Sequence, residues 1–228
     1  MSALARLAAR APVPVHACIG PGMLGRVETL MRSRRLRRVA SPRETGLLLA
    51  AGEAPGRAAI GYDRVHDQLA HPRAVVRWDG RDDPTALILA TWAEALAGGA
   101  DAGDRLPDTP PAPWQGRGEH GQGGEGMMGG VPYGRPMAMT GADVRDGLEL
   151  DAYAARIGPF AAMLPPGMEL DLTLQGDVIM AAEVAAPPFA QDDEANGPHA
   201  CAARLLRLMG LVHAADRVAF GERPRILW

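Results

Sequence analysis

Short apolar runs alternate with helically periodic segments over the first hundred residues. The apolar runs predict strands, and apolar residues spaced three or four positions apart predict helices. The predicted strands cover residues 13–17, 46–50 and 74–78. Strand and helix repeated three times predict a parallel sheet with right-handed crossovers, in a three-layer α/β fold. We expect the order second–first–third for these strands, with Pro14 at a strand start or an edge.

Three helices are predicted between and after these strands. The first runs from Leu24 to about Arg37, the second carries the stripe Ala58, Tyr62, Val65 and Leu69, and the third runs from Pro84 to Leu96. Asp83 is a predicted cap for the third helix, which Gly98 and Gly99 end.

The regular pattern is absent from residues 101–136. Residues 101–113 are rich in Pro and Asp and predict a linker, and nine of the nineteen residues from Gly116 to Gly134 are glycine. Alternation then predicts a strand over 168–174, a turn at Gly176 and a partner strand over 178–184. A final helix is predicted over 198–209, with Leu205, Leu208, Met209 and Val212 on one stripe. The expected organisation is an α/β domain (1–100), a Pro/Gly-rich linker and loop (101–136), and a β-hairpin and helix region (137–228).

Composition excludes several classes of chemistry. The 228 residues are 47% hydrophobic, enough for a sizeable core, and a net charge of -3 argues against a general nucleic-acid binder. All 24 basic residues are arginine, so no mechanism that needs a lysine amine is available. Two cysteines are too few for an iron–sulfur cluster or a Cys-rich zinc site. No apolar run is long enough for a membrane span and no signal peptide is evident, so we expect a cytoplasmic protein without a transmembrane segment.

Residues 38–52, which include Ser41, Pro42 and Arg43, resemble a segment of the small electron-transfer subunit of respiratory complex I and of group 4 membrane-bound nickel–iron hydrogenases. In that family a Ser-Pro-Arg turn leads into the second strand of a flavodoxin-like domain. The resemblance covers about residues 13–97 and implies that fold here.

The family holds a [4Fe–4S] cluster on four cysteines in this domain, and this chain departs from that pattern. Cys18 matches one ligand position, whereas Pro21 stands where a second would be. The segments of the third and fourth ligands, at Trp78–Arg81 and Asp82–Pro84, contain no cysteine. One thiolate cannot hold the cluster, so we expect a domain without cofactor in which Cys18 is a vestigial ligand position.

The C-terminal region resembles the opening β-hairpin of the large subunit of the same enzymes. The resemblance rests on Gly158, Pro159 and Phe160, on the strand over 168–174 and on the turn at Gly176. In the family this region belongs to a separate chain that packs against the cluster subunit. The large subunit's histidines near its Gly-Pro motif and its nickel-binding Cys-x-x-Cys pairs are absent here, so we expect no catalysis by this chain alone.

The glycine-rich loop and an arginine cluster are the candidate interfaces. Met127, Met128, Tyr133 and Arg135 favour an ordered interface loop over 116–136, although a plain linker or a small-molecule site also fits the composition. A cluster of five arginines lies at the end of the first predicted helix and suits either a partner surface or a solvated helix end; it comprises Arg32, Arg34, Arg35, Arg37 and Arg38.

Other polar clusters have ordinary interpretations. The histidines at 66, 71 and 120 lack metal-ligand spacing, and the acidic residues at 143, 146, 149 and 151 fit a solvated surface as well as a partner's arginines.

Three functions remain open from the sequence. The first is an accessory, cluster-less subunit of a complex I-like or hydrogenase-like complex, which acts in assembly or docking at the membrane periphery on antiporter-like membrane subunits. The second is an oxidoreductase subunit, in an NADH-quinone oxidoreductase-like or hydrogenase-like enzyme, whose cofactors lie on neighbouring chains. The third is a small-ligand-binding α/β protein.

Overall fold

In a computed structural model of the chain, the structure describes residues 8, 10–98, 139–140, 151–192 and 197–219. The chain divides into two compact units. One comprises Met1–Asp104, Gly158–Glu169 and Ala186–Trp228, and the other comprises Arg105–Ile157 and Leu170–Ala185. Helices and a parallel sheet build the described part of the first unit, and an antiparallel sheet builds that of the second.

The first unit contains a four-stranded parallel sheet. Its strands are β1 (Val13–Ile19), β2 (Leu36–Arg38), β3 (Leu47–Ala51) and β4 (Ala74–Trp78). Every residue of β3 is buried, as expected for a strand of a parallel sheet that is covered on both faces. Pro14 lies at the start of β1, where its carbonyl accepts a hydrogen bond from Thr45 Oγ1 at 2.6 Å.

The strand order is β2-β1-β3-β4, which corrects the predicted order of the three expected strands. The strand at Leu47 lies between those at Val13 and Val75 and is parallel to both. The place beside β1 is taken by β2, in which Leu36 is the register partner of Val13. The sequence did not reveal β2 because the strand has three residues and two of them are arginines.

The helices of the first unit are α1 (Leu24–Leu30), α2 (Ile60–His66), α3 (Thr85–Leu96), α4 (Pro198–Leu208) and α5 (Val212–Ala219). Helix α1 is half the predicted length, because its apolar stripe ends at Met31 and the chain then turns into β2. Arg32, Arg34 and Arg35 therefore lie on the turn after α1, and Arg37 and Arg38 lie on β2, so the prediction that all five belong to the end of a helix is wrong. Gly210 separates α4 from α5, so Val212 begins a new helix that the sequence pattern did not indicate.

Apolar residues cover the sheet of the first unit on both faces. One cluster joins Val13, Val15 and the next alternate residues of β1 to Leu24 and Val27 of α1 and to Ile88 of α3. The other cluster contains Cys18, Leu48 and Leu69. The Asp83 carboxylate accepts hydrogen bonds from the backbone N and Oγ1 of Thr85, and Gly98 ends α3 with a φ of 89°, as predicted.

The second unit contains an antiparallel sheet in the order β5-β6-β7-β8. Its strands are β5 (Met139–Thr140), β6 (Asp151–Ile157), β7 (Glu169–Gln175) and β8 (Val178–Ala186). The predicted hairpin is confirmed as β7 and β8. Strand β6 was not predicted; it pairs with β7, and Arg156 forms two hydrogen bonds of 2.6 Å to the Asp171 carboxylate. The predicted linker and glycine-rich loop lie outside the described residues.

We expect stability to fall in mild acid because His16 is buried in β1. The side chain is 1% exposed, and neither ring nitrogen has a hydrogen-bond partner within the described residues. Burial, reinforced by the positive charge of Arg38, lowers the pKa of His16 from 6.5 to about 4. The unfolded chain therefore binds more protons than the folded chain between these values, so stability is full above about pH 6.5 and decreases toward pH 4.

Urea unfolding as a function of pH tests this expectation. The free energy of unfolding should decrease by about 3 kcal/mol across that window through His16 alone. His16→Gln and His16→Leu should each flatten the dependence, whereas His199→Gln, at an exposed position, should leave it unchanged. A dependence that both His16 variants retain in full would contradict the assignment.

Candidate functional site

Cys18 lies inside an apolar cluster on one face of the parallel sheet. Its side chain is 0% exposed and packs with Leu48, Leu69 and Phe160. Burial raises the pKa of the Cys18 thiol, so the thiolate that a metal ligand requires is strongly disfavoured. Cys201, the other cysteine, is exposed on α4. Two cysteines, one of them a buried neutral thiol, do not supply the four thiolates of an iron–sulfur cluster.

The ring that covers Cys18 comes from a distant part of the sequence. Phe160 is 6% exposed and stacks on Tyr62 of α2, with ring centroids 4.7 Å apart. The Tyr62 hydroxyl donates to the carbonyl of Gly52 at 3.0 Å, and burial raises the pKa of Tyr62 to about 12. Helix α2 approaches the ring closely at Gly61, where a Cβ atom would lie 3.0 Å from Phe160 Cε2. The segment that carries the Gly-Pro-Phe motif is thus an integral part of the packing around Cys18.

Ala190 and Gln191 contact the segment that follows β1, at the carboxyl ends of the strands. In open α/β sheets, ligands commonly bind where the strand order reverses, which here is between β1 and β3. Gln191 crosses this point: its Oε1 accepts from Leu24 N at 3.0 Å, and its Nε2 donates to the carbonyl of Gly20 at 3.4 Å. The carbonyl of Ala190 accepts from Gly22 N at 3.0 Å. These contacts join residues 190 and 191 to the segment between β1 and α1.

A cavity of about 520 Å³, which Leu24 and Gln191 also line, lies within the first unit. Three arginines line it, namely Arg38 of β2 and Arg204 and Arg207 of α4. Apolar side chains form much of the remaining wall, including Met163, Leu164, Phe189, Leu205 and Leu208. None of its described lining residues is acidic. The arrangement places positive charge beside apolar surface, which suits a ligand that has both an anionic group and an apolar part.

The charges around this cavity are partly desolvated. Burial, together with the charge of Arg207, lowers the pKa of Arg38 to about 10, so its guanidinium is still protonated at neutral pH. Burial also raises the pKa of Glu28 although four arginines oppose the shift, and Glu28 Oε1 has no hydrogen-bond partner within the described residues. Arg207 Nη2 lies 3.1 Å from Asp216 Oδ1, whereas its Nη1 is buried without a partner in the described part of the chain.

The two predicted interface residues that the structure describes, Arg34 and Arg35, do not line this cavity. Arg34 and Arg35 are exposed, and the carbonyl of Arg35 accepts from Val13 N, so their interface role stays a prediction. Met127, Met128, Tyr133 and Arg135 lie outside the described residues. The sequence named Arg38 only as one of five arginines and missed Arg204 and Arg207. Their spacing of three on a predicted helix was the signal, since it places both on one side of α4.

No helix within the described ranges has the length and apolar character needed to cross a bilayer. The same residues contain no cluster of three or more histidine, cysteine or acidic side chains arranged to hold a metal ion.

Gly158 begins the segment that carries Phe160, and we expect the replacement of Gly158 by alanine to destabilise the folded chain. Its φ is 110°, and a Cβ atom would collide with the carbonyl oxygen of Met168. We expect Gly158→Ala to cost about 2–4 kcal/mol, from strain at positive φ and displacement of the backbone.

Gly98→Ala provides the matched control for this prediction. Gly98 also has positive φ, but no atom of the described residues lies within 4 Å of the position that the alanine methyl group would take, so we expect only the backbone cost of about 1 kcal/mol. Urea denaturation of both variants is the measurement. Equal losses would show that the Gly158 contact is unimportant.

Comparisons of this chain with known protein families, with curated proteins and with solved structures find no match. Its function is therefore inferred from its own residues and from their geometry.

Proposed function

We propose that this chain is an accessory subunit, without an iron–sulfur cluster, of a membrane-associated complex related to complex I or to group 4 hydrogenases. In this proposal it acts in assembly or docking, on the cytoplasmic side and peripheral to the membrane. It holds no cofactor of its own and has no catalytic activity in isolation. The α/β unit is then a flavodoxin-like domain, since β2-β1-β3-β4 is the order of the first four strands in such sheets.

The packing of Phe160 on Cys18 is the observation that carries the proposal. The segment with Gly158, Pro159 and Phe160 resembles the large subunit of the family, and the sheet that bears Cys18 resembles the small subunit. In the family these are separate chains that pack against each other beside the cluster. Here one chain supplies both segments, they meet at the ligand-like cysteine, and apolar side chains fill the space around its thiol.

Exposed apolar residues on the C-terminal helices favour docking as the activity. Leu208, Met209 and Leu211 are 58%, 65% and 48% exposed, and they lie within four positions of one another at the junction of α4 and α5. Groups of large exposed apolar side chains commonly mark protein interfaces. Gln191 contacts Gly20 and Leu24 beside the crevice between β1 and β3, where a small ligand would bind in a related fold.

The proposal predicts that the chain belongs to a membrane-bound assembly. The chain, tagged in its native host, should migrate on native gels of detergent extracts with a large complex, and mass spectrometry should identify multi-spanning subunits in the same band. Met209→Glu combined with Leu211→Glu should release the chain from this band. Ile60→Glu, at a similarly exposed position on α2, is the control and should not. Migration as a monomer or homo-oligomer in gentle detergent would overturn the proposal.

The same proposal predicts a purified protein that binds no iron–sulfur cluster. After anaerobic reconstitution with iron and sulfide, iron and acid-labile sulfide should remain at the level of a Cys18→Ser, Cys201→Ser double variant, because the buried Cys18 thiol and a second distant cysteine cannot form a ligand set. Iron and sulfide in the amounts of a full cluster, with the matching visible absorbance, would contradict this.

A further inference from the structure

We propose that the arginine-lined cavity is a binding site for an amphipathic anion. The ligand would place carboxylate or phosphate oxygens on Arg38 and Arg207 and an alkyl chain along Phe189 and Leu205. This inference goes beyond the proposed subunit function, and the isolated chain suffices to test it.

The charge of the cavity favours an anion. Arg38 has no ion-pair or hydrogen-bond partner for its guanidinium within the described residues. Asp216 reaches one terminal nitrogen of Arg207 and leaves Nη1 buried without an acceptor in the described part of the chain. A buried donor without an acceptor loses hydration and regains nothing, so an oxygen at this position would recover a charge-assisted hydrogen bond. Guanidinium groups offer paired donors that match the geometry of carboxylate and phosphate oxygens.

Glu28 does not cancel this charge. Although it is close enough for its charge to interact with Arg38, Arg204 and Arg207, burial raises its pKa. Its carboxylate does not line the cavity. The lining therefore presents the guanidinium groups of Arg38 and Arg207, and no described carboxylate, to an incoming ligand.

The apolar wall favours a ligand with an alkyl chain over a small polar anion. Met163, Leu164 and Phe189 line one part of the cavity, and Leu205 and Leu208 of α4 line another. Leu205 and Leu208 are 59% and 58% exposed, so a bound chain would remove apolar surface from water. The volume of about 520 Å³ falls within the range of roughly 300–1,000 Å³ that is typical of small-molecule sites.

Isothermal titration of the purified full-length chain with dodecanoate, below its micellar concentration, tests the proposal. Dodecanoate should bind to one site per chain. Acetate, which lacks the alkyl chain, and dodecyltrimethylammonium, which has the chain and the opposite charge, should each bind at least ~10-fold more weakly. Equal binding of dodecanoate and dodecyltrimethylammonium would overturn the proposal.

Two variants and their controls locate the site. Arg38→Gln should weaken dodecanoate binding about 10-fold or more, because it removes a charge-assisted hydrogen bond. Arg34→Gln removes an exposed arginine of the same segment and should have no effect. Leu205→Glu, which opposes both the alkyl chain and the anion, should abolish binding, whereas Ile60→Glu should not. Circular dichroism should show that all four variants are folded, and unchanged affinity in both Arg38→Gln and Leu205→Glu would overturn the assignment.

A second experiment, with lipid vesicles, identifies the source of the anion. Vesicles of phosphatidylcholine with and without phosphatidylglycerol are mixed with the chain and floated on a density gradient. Flotation that requires phosphatidylglycerol and Arg38, and that dodecanoate competes away, assigns the site to a membrane phospholipid. Dodecanoate binding without such flotation assigns it to a free fatty carboxylate. Absence of both dodecanoate binding and Arg38-dependent flotation would refute the proposal.

Discussion

The burial of Phe160 on the parallel sheet is the contact on which the arrangement of the first unit depends. The ring comes from a segment more than a hundred residues after β1, yet it covers Cys18 and stacks on Tyr62. An aromatic ring in such a position removes a large apolar area from water, and the stacking adds to it. Once Phe160 is held there, the following residues are held as well: the backbone N of Phe189 donates to the carbonyl of Pro166, and Gln191 reaches the first turn of α1.

This one attachment also explains why a cavity exists beside the sheet. The apolar wall of the cavity comes from three segments. Met163 and Leu164 lie shortly after Phe160, Phe189 is hydrogen-bonded to the same loop, and α4 lies further along the chain. Arg38 enters from β2, the strand next to β1. The cost of this arrangement is the partial desolvation of Arg38, Glu28 and Arg207, which only incompletely satisfy one another. Charged groups held in this way favour ligands of complementary charge over a closed hydrophobic core.

The sequence predicted the elements whose pattern is strong and local. Strands β1, β3 and β4 and helix α3 were evident because their apolar runs and end signals coincide. Strand β2 was missed because its three residues have the composition of a solvated turn. They form a strand only through pairing with β1, which is distant in the sequence. Strand β6 was missed because it also depends on pairing with another strand, β7, which places Arg156 opposite Asp171. The site was less accessible still: the cavity unites residues from β2, the loop after Gly158 and α4, and each looks ordinary in its own segment.

Cys18 contributes to the packing of the first unit as a buried, neutral thiol. A cluster ligand needs a deprotonated thiol in a polar, positively charged environment, together with neighbouring thiolates. In this chain the surroundings of the thiol are Leu48, Leu69 and Phe160, which favour the neutral form, so the side chain packs as a small apolar group. The residue that fills the space beside Cys18 is the same one that attaches the Gly158 segment to the sheet. One apolar cluster therefore both keeps the Cys18 thiol neutral and holds two distant segments of the chain together.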